Sequence, residues 1–327
     1  MPAPPTNKKV WIQLLLLLAG LGLLAILITQ SDASNLREGL QSIGWFIVPI
    51  ALFHLIPLYF HMLGWRQIIE KALRPPWARL FVLRWITESV NNLLPVAQVG
   101  GEIVRAHLLT KQGIGGAAAS STVLVDFTIG LFAQTVFTLV GLMLLINATG
   151  SSDFTVNLSV GVMLFLLLLT GFYFLQSRGL SKIASYIATR SATHDRWHTI
   201  IKSSDEFTTK VKQLYQQRQR IFLAFNWRLL AWFAGAGETF LILYALGINV
   251  PLSYLVILES FAFAARSLGF LVPGAVGITE GVLVLVGTLL GLTPAQALTL
   301  ALAKRARELL LGIPGLVVWF AEESPFE

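Results

Sequence analysis

Two stretches, LLPVAQVGGE at residues 93–102 and LVPGAVGITE at residues 271–280, align without a gap and decide the fold. Proline, alanine and glutamate coincide in the two copies. We expect the proline to stop an incoming half-helix and the glycines to allow a sharp reversal. The glutamate then lies in the first turn of an outgoing half-helix, where the helix dipole favours an anion. The pattern therefore predicts two hairpins of broken helices.

The sequence around these stretches is strongly apolar. Of the 327 residues, 55% are hydrophobic and 13% are charged, whereas soluble domains carry about 25% charged residues. We therefore expect a single integral membrane domain over residues 1–327. Because the chain has no cysteine, it offers no disulfide, thiolate nucleophile or cysteine metal site. The sequence predicts no cofactor and no metal.

Six apolar stretches are long enough for transmembrane helices, and two more, around 77–94 and 253–292, are interrupted by Asn, Pro and Gly. The six predicted spans are 10–28, 44–63, 116–147, 158–176, 222–247 and 296–320. Lipid cannot satisfy the polar backbone groups that a helix break exposes. We therefore expect the interrupted segments to be re-entrant, buried in protein or facing a wet cavity, within an all-α polytopic fold.

Lysine and arginine concentrate in the connections 64–84 and 177–220. By the positive-inside rule these connections are cytoplasmic, so we predict a multi-pass protein of a bacterial inner membrane with both termini in the cytoplasm. The net charge of +7 then reflects topology and anionic headgroups, not nucleic acid. The two hairpins enter from opposite sides, so the units 10–147 and 158–320 form an inverted repeat, as in many secondary transporters.

Apolar residues recur at helical spacing near the end of the connection 177–220, among lysines and arginines. They are Phe207, Val211, Leu214 and Tyr215. The spacing predicts a basic amphipathic helix. Its apolar face lies either on the inner leaflet or against the rest of the protein.

Several ionisable residues lie inside the predicted membrane segments, where each costs at least a few kcal/mol. Asp126 follows Glu102 by 24 residues, and Lys304 follows Glu280 by the same interval, so the two halves place a charge at a corresponding depth. One interpretation is that cations bind a lipid phosphate, a task suited to arginine. The other is that the charges pair internally and fix the helix packing. The candidate cations are Arg105, Arg266, Lys304, Arg305 and Arg307.

Polar residues near the first hairpin and in the second span allow two interpretations each. Asn91 and Asn92 either bind a headgroup through their amides or cap the broken half-helix. His54 and His61, on one face of the second span, serve either as a proton relay or as interhelical hydrogen-bond partners. The candidate substrate-binding and gating residues are Asn91, Asn92, Pro95, Gly100, Gly101, Glu102, Arg105, Asp126, Glu238, Arg266, Pro273, Gly274, Gly277, Glu280, Lys304, Arg305, Arg307 and Glu308.

The hairpin residues resemble the flippase-like transmembrane domain of the lysylphosphatidylglycerol synthase family. The likeness is carried by Asn92-Leu93-Leu94-Pro95, Gly100-Gly101-Glu102, Arg105, Phe270 to Gly277, and Glu280. The family usually has Gly-Gly where this chain has Gly274-Ala275. The resemblance implies a domain that moves aminoacylated phosphatidylglycerol between leaflets. In the family a separate soluble domain performs the aminoacyl transfer, so for this chain the resemblance implies a stand-alone translocator. It leaves open membership of the subgroup encoded with hopanoid biosynthesis enzymes.

The predicted function is therefore a flippase-like transporter of a phospholipid, lipid-linked or hopanoid-type substrate. The alternatives are an integral-membrane transferase and an accessory subunit in lipid biosynthesis. The five aspartates are scattered and no histidine is followed by aspartate five positions later, so we expect no enzyme activity. The expected partners are membrane lipids with a charged head group, and the sequence leaves open a homodimer or association with a lipid-biosynthesis enzyme.

Overall fold

The structure is a computed structural model that describes residues 7–94, 99–150, 194–269 and 272–323. These residues form helices and no strand, so the predicted all-helical fold is confirmed for them. The helices are α1 (Asn7–Gln30), α2 (Ala33–Ile43), α3 (Ile47–Ile68), α4 (Trp77–Leu93), α5 (Gly100–Thr110), α6 (Gly116–Thr149), α7 (His194–Gln216), α8 (Arg218–Ala245), α9 (Leu252–Leu268), α10 (Ile278–Leu289) and α11 (Pro294–Glu323).

Five of the six predicted spans coincide with long helices, namely α1, α3, α6, α8 and α11. The sixth, 158–176, lies outside the described residues. By length and apolar composition alone, two segments of the described part qualify as membrane-crossing, Ala33–Ile68 and Gly116–Thr149. The first of these joins α2 to α3 through a short 3-10 turn. The helices α8 and α11 are less apolar because they carry several of the buried charges.

Many large apolar side chains lie on the outside of the described helices, and many ionisable side chains lie inside. Leu52, Met143 and Phe222 are each at least 60% exposed, whereas Arg105 and Asp126 are fully buried. Water-soluble proteins bury their charged residues only rarely. This distribution suits a chain whose surroundings are lipid.

The first helix pair consists of α4 and α5. The helix α4 ends at Leu93. The stretch 95–98, which includes Pro95, lies outside the described residues. A Cβ atom at Gly101 would lie 2.2 Å from the carbonyl oxygen of Thr87, so glycine permits the close approach of the two helices. Glu102 lies in the first turn of α5, as predicted.

The second helix pair consists of α9 and α10, and its break differs from the predicted one. The helix α9 ends at Leu268, five residues before Pro273, so the expectation that Pro273 stops the incoming half-helix is wrong. The residue that follows the last helical residue is Gly269, and glycine has a low helix propensity. Pro273 begins a short 3-10 turn that leads into the reversal.

The reversal of the second pair depends on glycine, as predicted. Gly274 and Gly277 have φ of +62° and +80°, in the left-handed region that glycine adopts without a steric penalty. Glu280 accepts a hydrogen bond from the backbone N–H of Gly277 at 2.7 Å, which closes the first turn of α10. The carboxylate is therefore placed by a local cap.

The two pairs open towards opposite ends of α11, which is about 45 Å long at 1.5 Å per residue. At the open end of the first pair, Arg79 pairs with Glu322, near the end of α11. At the open end of the second pair, Leu290 and Leu292 precede the start of α11 and pack with Ile43. The closed tips of the two pairs meet between these ends, where Arg266 Nη1 donates to Asn92 Oδ1 at 2.6 Å.

The predicted amphipathic helix corresponds to α7, and its apolar face packs against the protein. Val211 is fully buried in a cluster that contains Phe207 and Leu214 of α7 with Val125 and Ile129 of α6. This packing favours the second of the two alternatives for that face. The rest of the predicted connection, residues 177–193, lies outside the described residues.

Candidate functional site

A cavity of about 170 Å³ lies where the tips of the two helix pairs meet. Its wall comes from α3, α4, α6, α8, α9, α10 and α11. Since a water molecule occupies about 30 Å³ of the liquid, the cavity has room for several waters or a small polar group. The ionisable side chains that line it are His54, His61, Arg84, Glu88, Glu259, Arg266, Glu280, Lys304, Arg305, Arg307 and Glu308.

Asp126 holds two buried arginines beside the cavity. Arg105 Nη1 donates to Asp126 Oδ2 at 2.7 Å, and Arg228 binds both carboxylate oxygens, with Nε 3.1 Å from Oδ1. Arg105 also pairs with Glu102 of its own helix, and Arg84 lies 3.7 Å from the same carboxylate. These five residues, the Asp126 cluster, tie α4, α5, α6 and α8 together.

His54 lies at the centre of a second group of charges. Its Nδ1 is 2.7 Å from Glu238 Oε2, and its Nε2 is 2.7 Å from Glu88 Oε1. Arg307 Nη2 lies 3.0 Å from Glu238 Oε1, on the other side of that carboxylate. Lys304 extends the group, since its Nζ is 2.7 Å from Glu259 Oε2.

We call this group the His54 cluster. Its members are His54, Glu88, Glu238, Glu259, Lys304 and Arg307. They come from five helices, α3, α4, α8, α9 and α11. The side chain of Glu88 is 22% exposed, whereas that of Glu238 is 1% exposed, so the cluster reaches from the cavity into the fully buried interior.

Arg305 holds the tip of the second pair. Its Nη2 lies 2.7 Å from Glu280 Oε1, and its Nη1 donates to the carbonyl oxygen of Gly274 at 2.9 Å. The same Nη1 lies 2.7 Å from Glu308 Oε2, and Glu308 also pairs with Arg266. We call Arg266, Glu280, Arg305 and Glu308 the Glu280 cluster. It connects the middle of α11 to both arms of the second pair.

With His54 left out of the count, the charges of the three clusters balance. The seven basic members are Arg84, Arg105, Arg228, Arg266, Lys304, Arg305 and Arg307, and the seven acidic members are Glu88, Glu102, Asp126, Glu238, Glu259, Glu280 and Glu308. A buried charge without a partner costs several kcal/mol. Pairing therefore allows this many ionised groups to lie inside an apolar protein.

Three polar atoms of the cavity wall have no hydrogen-bond partner among the described residues. They are Arg84 Nε, Trp232 Nε1 and Thr279 Oγ1. Each is a hydrogen-bond donor, and buried polar groups without partners are rare in folded proteins. The residues that carry these three unpaired donors all contribute to the wall of the cavity.

The structure divides the predicted site residues into three groups. Those that line the cavity are Asn91, Asn92, Arg266, Glu280, Lys304, Arg305, Arg307 and Glu308. Those that lie behind its wall, in the clusters, are Glu102, Arg105, Asp126 and Glu238. Those that shape the helix breaks are Gly100, Gly101, Pro273, Gly274 and Gly277.

Each of the five candidate cations pairs with a carboxylate. The two asparagines have different partners. Asn91 Oδ1 accepts a hydrogen bond from the backbone N–H of Gly101 at 2.8 Å, which joins α4 to the start of α5. Asn92 Oδ1 accepts the bond from Arg266 described above. Asn91 is thus a structural link, and Asn92 lies at the contact between the two tips.

Sequence reasoning missed several residues of the site. The positive-inside rule places Arg84 in a cytoplasmic connection, but it lies two turns inside α4 and lines the cavity, so that prediction is wrong. Glu88, Arg228 and Glu259 were not singled out. Each is an isolated charge in an apolar stretch. The same signal identifies Asp126, and a search of the whole sequence for it identifies all three residues.

Comparisons with known proteins agree on the class of the chain. The family model described as the lysylphosphatidylglycerol synthase TM region matches residues 10–315. A UPF0104 membrane protein of Methanothermobacter thermautotrophicus (strain Delta H) is 22% identical over 306 residues, which cover 89% of this chain and 89% of that protein. No solved structure matches the chain.

Proposed function

Because the chain belongs to the family of the lysylphosphatidylglycerol synthase TM region, we propose that this membrane protein is a flippase-like lipid transporter. Its substrate is a lipid with a charged head group, and the head group crosses the membrane through the cavity between the two helix pairs. The protein acts as a carrier and not as an enzyme. We place it in a bacterial inner membrane, with both termini in the cytoplasm.

The observation that carries this proposal is a charged cavity inside a protein with an apolar exterior. Moving an ionised group from water into an apolar medium costs tens of kcal/mol by Born solvation. The cavity wall replaces water with paired charges and with the free donors of Arg84, Trp232 and Thr279. The acyl chains of the lipid stay in the bilayer, against exposed apolar side chains of the kind seen at Phe222.

The order and length of the helices support an inverted repeat. The helices α4 and α9 each have 17 residues, and α5 and α10 have 11 and 12. A helix of 34 residues, α6, follows the first pair, and one of 30 residues, α11, follows the second. Since the pairs open towards opposite ends of α11, we propose that they are re-entrant hairpins entering from opposite faces of a membrane with six spans.

In this arrangement the tips of the two pairs act as gates. The first pair opens to the cytoplasm and the second to the outside, and the contact between Asn92 and Arg266 closes the cavity between them. Separation of one pair at a time gives alternating access to a midplane site, as in other transporters with inverted repeats. A phosphate in the cavity binds Arg84, because among the described residues its guanidinium has no partner at Nε and one carboxylate neighbour, Glu102 at 3.7 Å.

The test is leaflet exchange of fluorescent lipids in proteoliposomes, measured by chemical quenching of the outer leaflet. We expect Arg84→Gln to slow exchange by about 10- to 100-fold, the effect of losing one charged hydrogen bond of about 1.5–3 kcal/mol. The matched control is Arg37→Gln, on the exposed face of α2, which should exchange lipid like the wild type.

Two outcomes argue against the proposal. Equal exchange in wild type and Arg84→Gln would place the lipid route elsewhere. No exchange with any native lipid would refute transport, and chromatography of the same lipids then distinguishes the alternatives. A chemically altered lipid would indicate a transferase, and an unaltered one an accessory subunit.

A further inference from the structure

His54 makes a close contact with a carboxylate on each side of its ring. The distances from Nδ1 to Glu238 and from Nε2 to Glu88 are both 2.7 Å. A carboxylate accepts hydrogen bonds, whereas a neutral imidazole has one N–H and one lone pair. If the ring were neutral and both glutamates ionised, a lone pair would face a carboxylate oxygen. The bridge therefore holds one proton more than a neutral imidazole and two carboxylates, on the ring or on a glutamate.

The two ends of the bridge are not equivalent. Glu238 is held by Arg307 at 3.0 Å and lies 3.6 Å from Lys304. Glu88 lies partly exposed to the cavity, and its other cationic contact within the His54 cluster is Arg307 at 3.8 Å. Loss of the extra proton therefore opens the bridge at Glu88, because that end is more weakly held and has access to water.

A second partner for His54 is already in place. Arg307 Nη1 lies 3.5 Å from Nε2 of the ring. Once the proton is lost, this N–H can donate to the Nε2 lone pair while Nδ1–H continues to donate to Glu238. The ring thus has two stable sets of partners. With the proton bound, Nε2 contacts Glu88, and with the proton released, Nε2 accepts from Arg307.

The other charges around His54 are fixed in salt links or lie further away. On its own helix, His61 Nδ1 faces Arg228 at 3.0 Å. From α9, Glu259 is occupied by Lys304. Glu88 and Glu259 are the carboxylates of the His54 cluster that line the cavity, and of these two it is Glu88 that contacts the His54 ring.

The position of Glu88 connects this bridge to the gate. It lies on α4, one helical turn before Asn92, whose amide oxygen contacts Arg266 at the tip of the second pair. Release of Glu88 removes the link between this end of α4 and His54 of α3. The contact that closes the cavity lies one turn further along the same helix, so a movement of this end of α4 reaches both contacts.

We propose that the tips of the helix pairs separate when one proton leaves the contact between His54 and Glu88, and close when it returns. The proton moves from His54 Nε2 to the Glu88 carboxylate and from there to water in the cavity, and it returns by the same steps. Combined with the proposed function, on which this part rests, the switch couples lipid movement to a proton gradient.

The switch is tested by the distance between the two tips, measured with spin labels. The chain has no cysteine, so cysteines introduced at Val99 and Leu268, which are 43% and 72% exposed, are labelled specifically. We expect two distances, whose population ratio changes by about tenfold per pH unit through the transition, the slope for a single proton. The shorter distance should predominate at low pH.

Two variants separate the bridge from a general effect of pH. In Glu88→Gln the amide N–H donates to His54 Nε2 without an added proton, so the short distance should persist at every pH. In His54→Gln the distances should no longer respond to pH. The control His107→Gln changes a histidine whose side chain is 55% exposed, and it should respond like the wild type. A response that is absent in the wild type, or unchanged in both bridge variants, would overturn the proposal.

Lipid exchange in vesicles with an imposed pH gradient separates the two proposals. Exchange that the gradient biases in the wild type, and not in His54→Gln, supports both. Exchange that ignores the gradient overturns the coupling and leaves lipid transport standing. If the distances respond to pH but no lipid is exchanged, the switch is supported and lipid transport is refuted. The coupling between the two is then refuted as well.

Discussion

The two helix pairs are fixed to the long helix that follows each of them by salt links of opposite polarity. In the first pair the arginine is on the pair, since Arg105 of α5 binds Asp126 of α6. In the second pair the carboxylate is on the pair, since Glu280 of α10 binds Arg305 of α11. The same helix arrangement is stabilised either way, because an ion pair requires opposite charges and not a particular order. Two halves with little sequence identity can thus have a similar architecture.

The two links also differ in their surroundings. Arg105 and Asp126 are fully buried and lie behind the cavity wall, whereas Glu280 and Arg305 line the cavity. The first link is therefore an anchor, and the second is within reach of any group that enters the cavity. Substitutions at the first should mainly lower stability, and those at the second should change stability less and transport more.

The largest effect is expected for Asp126→Asn. It leaves the buried guanidinium of Arg228 without its carboxylate and that of Arg105 with Glu102 alone, so the free energy of unfolding should fall by about 3–5 kcal/mol. Chemical unfolding in mixed micelles measures it. Asp205→Asn, at an exposed position of α7, is the matched control and should unfold like the wild type. A loss below about 1 kcal/mol in Asp126→Asn would show that the first link is not an anchor.

A smaller loss is expected for Gly101→Ala in the first pair. The added Cβ would lie 2.2 Å from the carbonyl oxygen of Thr87, so α5 must move away from α4, at a cost of about 2–3 kcal/mol. Gly281→Ala, next to the corresponding glutamate of the second pair, meets its nearest atoms at 4.0 Å. Since alanine favours a helix over glycine by about 0.5–1 kcal/mol, that variant should be as stable as the wild type or more so.

Glu280→Gln removes one partner of Arg305 and should lower the free energy of unfolding by about 2 kcal/mol. The loss is no larger because Arg305 keeps Glu308 and the carbonyl oxygen of Gly274. Glu102→Gln should cost less, since Arg105 keeps Asp126. The rate of lipid exchange should fall more in Glu280→Gln than in Glu102→Gln, and by more than their difference in stability accounts for, because Glu280 lines the cavity. Equal losses of exchange in the two variants would contradict the distinction between anchor and gate.

The smallest effect is expected for Ala275→Gly at the second break. Ala275 has φ of +49°, which costs an L-residue about 1–2 kcal/mol, whereas glycine adds about 0.5–1 kcal/mol of unfolded-state entropy. The two terms nearly cancel, so stability should rise by less than about 1 kcal/mol. Ala133→Gly, in the middle of α6, should instead lose about 1 kcal/mol. A loss of similar size at both positions would mean that the left-handed turn is not strained.

Local sequence patterns predict the class of the protein, the long helices α1, α3, α6, α8 and α11, and the two helix breaks, but not the helix α2. Hydropathy, helix length and the effects of proline and glycine are local properties, so α6, α11 and the stretches around Leu93 and Glu280 were predictable within a few residues. The end of α9 was not, because a glycine at 269 competes with the proline at 273, and the packing around the turn selects between them.

The packing of the helices determines which charges meet and which of them face the cavity. Arg228 lies 102 residues from Asp126 along the chain, and Glu238 lies 184 residues from His54. No local pattern specifies such a pair, because the identity of each partner depends on how whole helices pack. The same reason applies to Arg84, whose charge was read as a topology signal. Packing turned that charge towards the cavity, where burial makes a partner or a ligand necessary.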